Sequence, residues 1–410
     1  MTANRALLVV LSVTSPTEVP YPLIKASASL HICRNAELIN QTTSNALKYP
    51  LRQIYFYLTN GCNLRCRHCW IQPKYQSEGV SSRDLSIELF RSIIEQALPL
   101  GLKKIKLTGG EPLLHSKIID LIEIVNTYEL DLTIETNGVL CTHEFADAAA
   151  RGKRPFISVS LDGADAIIND RIRGIDGSFD QALDGIRNLV AVGIKPQMIM
   201  TVMRWNDHQV DSMIKLAEEV GAGSVKFNAV QPTARGEKMH RMGETLSIEE
   251  LVDLGRRIES VLIPSTKMRI IPWHPPAFRP LGRLLGKETH GGVCGIHRII
   301  GVLADGSYAL CGIGETVPEM VFGHGAVDPL KEVWLNNEVL LALRDGLPDR
   351  LEGICGRCLM SSRCLGGCIA QNYYTHHDLW SPHWYCQQAF EAGLFPKTRL
   401  KMQKLSATVE

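Results

Sequence analysis

Between about Arg52 and Ile263 the apolar residues follow two periods in alternation. Short runs rich in β-branched and aromatic residues predict strands at Ile54–Leu58, Lys104–Leu107, Leu130–Glu135, Phe156–Ser160, Lys195–Val202 and Ser224–Phe227. Between them apolar positions return every third or fourth residue. That spacing predicts helices at Ile87–Leu98, Lys117–Tyr128, Glu144–Ala150, Phe179–Val192, His208–Val220 and Ile248–Leu262. Strands and helices in strict alternation build a parallel sheet. Six such units fall short of the eight that close a barrel, so the expected fold is α/β, a partial (β/α)6 TIM-like barrel.

The pattern changes on both sides of this region. Ala6–Val13 and Leu23–Cys33, joined by a proline-rich turn at Pro16–Pro22, read as strands of a β-rich segment over residues 1–50. The first run could pass for the core of a secretion signal, but it enters Thr14-Ser15-Pro16 without a small-residue cleavage site. The barrel is expected over residues 51–270. Pro272, Pro275, Pro276 and Pro280 then break the periodicity in a linker ending near residue 293, and seven cysteines fall between Cys294 and Cys386. Residues 294–386 are therefore expected to form a metal-bearing domain, with 387–410 as a tail.

Composition narrows the function. A chain of 410 residues with 45% apolar and 21% charged positions can bury a large core. A net charge of +1 gives no broad positive field with which to gather nucleic acid. No run approaches the ~20 apolar residues that span a bilayer, so no membrane association is expected. Twelve cysteines without a signal sequence suit a reducing cytoplasm, where thiols serve metals or redox chemistry rather than disulfides.

The first expected strand runs into Gly61-Cys62-Asn63-Leu64-Arg65-Cys66-Arg67-His68-Cys69, three thiols in one loop. Three cysteines can hold three irons of a [4Fe–4S] cluster and leave the fourth open to a small molecule. A zinc site completed by His68 is the competing reading of this loop. The next strand ends run into Thr108-Gly109-Gly110-Glu111-Pro112, Glu135-Thr136-Asn137-Gly138 and Ser158-Val159-Ser160-Leu161-Asp162-Gly163. In an α/β barrel these ends share the rim that carries the active site. Gly109 and Gly110 permit close backbone approach, Glu111 can accept from an amino group, and Asn137, Ser160 and Asp162 offer partners for a ribose. Each alone is more often a turn residue than a site. Arg173 suits a carboxylate, the alternative being a surface ion pair.

The three-cysteine loop followed by Gly-Gly-Glu resembles the radical S-adenosylmethionine (SAM) superfamily over about residues 52–230. The resemblance implies that Cys62, Cys66 and Cys69 bind the cluster and SAM occupies the fourth iron. It also implies that Gly109, Gly110 and Glu111 hold the methionyl amine, and that reduction yields a 5′-deoxyadenosyl radical.

Downstream, Cys294, Cys311, Cys355, Cys358, Cys364, Cys368 and Cys386 are too many for one zinc, though two zinc sites would accommodate them. The whole string resembles the SPASM domain of radical SAM maturases, which carries two auxiliary clusters. By that resemblance Cys355, Cys358, Cys364 and Cys386 ligate one, and Cys294, Cys311 and Cys368 the other. No cysteine follows Cys294 closely, so the second cluster is expected to be open at one iron, to be [2Fe–2S], or to be completed by His297, Cys33 or Cys141. Asn372-Tyr373-Tyr374-Thr375-His376-His377-Asp378-Leu379-Trp380 is expected to pack over the clusters or to touch substrate.

SPASM-bearing enzymes imply a ribosomally made precursor peptide as substrate, with crosslinking, epimerisation or tyramine excision as outcomes and flavodoxin or ferredoxin as electron donor. Only 61 residues precede Cys62, so a separate small protein is expected to recognise the leader. A sulfatase-type formylglycine maturase is the alternative enzyme, and an iron–sulfur electron-transfer protein the alternative without catalysis.

Overall fold

The structure is a computed structural model that describes residues 48–75, 82–285 and 294–402. The expected strands at Ala6–Val13 and Leu23–Cys33 lie outside the described residues.

The six expected strands are present as β1 (Gln53–Tyr57), β2 (Lys104–Thr108), β3 (Asp131–Thr136), β4 (Lys153–Ser160), β5 (Gln197–Val202) and β6 (Ser224–Ala229). They pair side by side and all parallel, with Tyr55 opposite Lys106 and Ile199 opposite Lys226. One short parallel strand extends the sheet at each edge. β7 (Arg269–Ile271) joins β6, and β8 (Ile299–Val302) joins β1. A hairpin of β9 (Ser307–Ala309) and β10 (Val321–His324) continues antiparallel beyond β8. The order β10-β9-β8-β1-β2-β3-β4-β5-β6-β7 leaves the sheet open. Strands of three or four residues carry too few positions to show a period, which is why the sequence pattern missed the two edges.

The helices follow the strands: α1 (Ile87–Ala97), α2 (Ile118–Thr127), α3 (His143–Ala150), α4 (Ala166–Arg173), α5 (Ser178–Ala191), α6 (Val210–Glu219), α7 (Arg235–Arg241) and α8 (Ile248–Arg257). Their starts are written locally. Ser86, Thr142 and Asp165 accept from the backbone N–H groups of Leu89, Phe145 and Ile168, and Ser247 with Glu250 forms a capping box. The expected helix Ile248–Leu262 changes to a wider π turn at Ile258–Leu262.

Strand side chains alternate between two environments. Ile54, Phe56, Ile105, Leu107, Leu132, Ile134, Val159, Met198, Met200, Val225 and Phe227 are buried in the main core, where Phe56 meets Phe90 of α1 at 4.4 Å. The intervening positions, Lys106, Thr108, Glu135, Ser160, Thr201, Lys226 and Asn228, line a cavity instead. One face of the sheet makes the core and the other makes the site.

Candidate active site

The cysteine loop leaves β1 and is fixed from two sides. Arg65 and Arg67 donate their backbone N–H groups to the carbonyls of Arg173 (2.9 Å) and Ile172 (3.1 Å) at the end of α4. Gly110 N–H donates to Thr59 O at 2.8 Å and Glu111 N–H to Gly61 O at 2.8 Å. A Cβ on Gly110 would stand 1.9 Å from Gly61 O, and Gly109 has φ +139° with Thr59 O 2.7 Å from where its Cβ would be. The glycine pair thus lets the second strand end press against the cysteine loop.

The Glu111 carboxylate is buried beneath this contact. Oε1 accepts from Thr136 Oγ1 (2.6 Å) and Leu113 N (3.1 Å), and Oε2 from Asn137 N (2.7 Å). Burial pushes its carboxyl up to about 7, against these three donors. Asn137 donates from Nδ2 to Asn63 Oδ1 inside the cysteine loop at 2.7 Å. Glu111 and Asn137 therefore tie two strand ends to the loop.

Asp162 is fully buried and is absent from the cavity wall. Its Oδ1 accepts from Thr201 N at 2.8 Å, and its Oδ2 lies 2.8 Å from Arg173 Nε and 3.4 Å from His68 Nε2. Arg173 is correspondingly no surface residue. It is 6% exposed, lines the cavity and places Nη1 3.5 Å from Cys66 Sγ. Burial works against its charge, but Asp162 and Cys66 hold the guanidinium cationic. His68, the candidate zinc ligand, turns Nε2 to Asp162.

Cys62, Cys66, Cys69, Gly109, Gly110, Glu111, Asn137, Ser160 and Arg173 all line one cavity of about 360 Å³. Burial pushes the Cys66 thiol up to about 11 and that of Cys62 well above its ordinary value. The Leu64 N–H points at Cys62 Sγ at 3.4 Å. Thiols buried beside such donors suit a metal-bound thiolate. Among the described residues no three His, Cys, Asp or Glu groups gather in the manner of a single-ion site. A cubane binds each thiolate at a different iron, so its ligands surround a volume rather than a point, and the loop fits that group.

Sequence reasoning did not single out Lys106, Glu135 and Lys226 on the cavity wall. Lys106 Nζ lies 2.6 Å from Glu135 Oε2. The signal was legible: in Lys104-Ile105-Lys106-Leu107-Thr108 and Ser224-Val225-Lys226-Phe227-Asn228 the apolar residues alternate with lysine in mid-strand.

Two thiol groups lie further along the chain. Cys355, Cys358, Cys364 and Cys386 line one small, mainly apolar pocket, with His383 N 3.3 Å from Cys355 Sγ and Met360 N 3.3 Å from Cys358 Sγ. Cys294, Cys311 and Cys368 are close enough for each of the first two to feel the charge of Cys368. Of the candidate fourth ligands, His297 turns Nε2 to Leu343 O at 3.2 Å, Cys141 packs over Gly185 near Glu111, and Cys33 lies outside the described residues. Asn372 is buried and donates to Gly366 O (3.0 Å) and Ser381 O (3.1 Å), binding together the loops around these thiols.

An open parallel sheet with three thiols at its rim is the arrangement of radical SAM enzymes, and residues 56–217 match the radical SAM superfamily. That match places a radical SAM domain within the chain. The chain is 27% identical to the AdoMet-dependent heme synthase of Methanosarcina barkeri over 82% of this chain and 96% of that one. It is 28% identical to the mycofactocin maturase MftC of Mycolicibacterium smegmatis over 84% of each chain. Among solved structures, Streptococcus suis SuiB bound to precursor peptide SuiA superposes with a TM-score of 0.66 at 16% identity, covering 90% of this chain and 84% of that one. The last comparison speaks to the fold. Among the described residues no helix is long and apolar enough to cross a membrane.

Proposed function

We propose that this enzyme is a cytoplasmic peptide maturase that uses SAM to remove a hydrogen atom from a ribosomally made precursor peptide. One observation carries the reading: the three thiols of the β1 loop and polar side chains of strands β2 to β6 face each other across one cavity. The similarity to MftC supports a peptide as substrate.

In this reading Cys62, Cys66 and Cys69 hold a [4Fe–4S] cluster. With SAM bound, the cluster supplies electron transfer to the sulfonium and release of a 5′-deoxyadenosyl radical. The chain's part is orientation and exclusion of water. Among the described residues one donor reaches Glu111 Oε2, which leaves capacity for the methionyl amine beside Gly109 and Gly110. Arg173 faces the methionyl carboxylate, and Asn137 and Ser160 face the ribose. Asp162 acts as a positioning residue by fixing Arg173.

The four thiols of the Cys386 pocket fit a fully ligated auxiliary cluster. Cys294, Cys311 and Cys368 fit a second, which lacks a fourth protein ligand from His297 or Cys141. A flavodoxin or ferredoxin as donor and a separate protein presenting the leader complete the reading.

The test is anaerobic reconstitution and dithionite reduction with SAM, followed by quantification of 5′-deoxyadenosine. The wild type should form it, and Cys62→Ala, Cys66→Ala and Cys69→Ala should each reduce it below detection. Mass spectrometry of a precursor encoded beside the gene should then show a changed mass. A tetrapyrrole is the second reading, favoured by the similarity to the heme synthase. Turnover of an iron-coproporphyrin with no change in any peptide would establish it instead.

A further inference from the structure

The cavity wall carries a cation that the roles proposed above leave unassigned. Lys226 sits in the middle of β6, between Ile199 of β5 and Ile271 of β7, and points into the cavity. Burial lowers its pKa, Glu135 opposes that shift and Lys106 adds to it. Glu135 itself is engaged 2.6 Å away by Lys106 Nζ, so its charge is already matched before it acts on Lys226. Among the described residues no hydrogen bond or ion pair reaches the Lys226 ammonium.

The other cations of the wall already have protein partners. Arg173 is paired with Asp162, and Arg235 donates from Nη1 to Cys66 O at 3.1 Å. A lysine held away from bulk water without a full counter-charge is costly, and an incoming anion removes that cost. Thr201 and Asn228, on the same wall, add a hydroxyl and an amide able to reach a second oxygen.

We propose that Lys226, flanked by the Lys106–Glu135 pair, forms a subsite that anchors a carboxylate of the substrate peptide, either its C-terminus or an Asp or Glu side chain. This inference rests on the peptide reading above. A charge-assisted pair in such a site adds roughly tenfold to affinity.

The test uses the anaerobically reconstituted holoenzyme with SAM and the synthetic precursor encoded beside the gene. The peptide is made in three forms: free acid, C-terminal amide, and free acid with core Asp and Glu replaced by Asn and Gln. Affinity is read by fluorescence anisotropy and KM by product mass. The wild type should disfavour one of the two neutralised peptides about tenfold, which identifies the carboxylate. Lys226→Met should erase that preference, and Lys226→Arg should keep it. A variant that merely folds poorly would weaken all three peptides alike. Equal binding of all three by the wild type, or a preference that survives in Lys226→Met, overturns the subsite. If the wild type leaves every peptide unchanged yet converts an iron-coproporphyrin, the peptide reading itself has failed.

Discussion

Asp162 and Arg173 form an ion pair shut off from water, and such a pair is worth most when intact because removing one partner strands the other. Asp162→Asn should lower unfolding stability by about 3 kcal/mol in anaerobic urea titrations, and adding Arg173→Met should restore part of the loss. His274 is a second residue whose surroundings set its behaviour. It is 1% exposed, packs against Phe278 and Tyr385, and burial lowers its pKa to about 4. Above pH 6.5 the ring is neutral in both folded and unfolded chains. Between 6.5 and 4 only the unfolded chain takes up the proton, so stability falls as the pH drops through that window. Unfolding free energies from urea titrations at pH 7.5 and pH 5 should differ less in His274→Leu than in the wild type, by about 2 kcal/mol. Sequence alone singled out Cys62, Cys66 and Cys69, which the structure brings to one cavity, because their spacing is local. The roles of Asp162 and His274 were illegible because each depends on partners brought together from distant segments.

At the scale of elements, the meeting of the Gly109–Glu111 strand end with the cysteine loop is the tightest feature of the site. A methyl group on Gly110 has nowhere to go, since Gly61 O belongs to backbone that cannot rotate away. Gly110→Ala should therefore displace the loop and lower its iron content, while iron bound by the Cys386 pocket stays, as read by iron analysis and Mössbauer spectra. Ser247→Ala removes the capping box of α8 and should cost about 1 kcal/mol without altering iron content. The long elements were legible: each of the six expected strands and six expected helices overlaps an observed one, because hydrophobic period is strongest where an element offers many positions. α4 and α7 escaped notice. They are short and rich in charge, and their placement depends on the loop and strand ends they cover.

Across the whole molecule, the proposed auxiliary clusters would couple folding to metal through the seven downstream thiols. Burial pushes Cys355 up to about 11 and Cys364 up to about 12, so without metal these thiols stay protonated. Loading must then release protons, and iron uptake should fall as the pH is lowered. Cys386→Ser should reduce iron by roughly four atoms per chain and lower the melting temperature. The resemblance to the SPASM domain implied which cysteines group together, and the Cys386 pocket gathers that same quartet. The fourth ligand of the other trio was not legible, since nothing in spacing reveals that His297 faces Leu343.

The division of labour between the two sides of the sheet bears on how such an enzyme changes its substrate. Thr108, Thr201 and Asn228 look into the cavity while their strand neighbours carry the core. Exchanges at these positions leave the packed interior untouched, so a lineage can retool its chemistry by single steps without first accumulating spare stability.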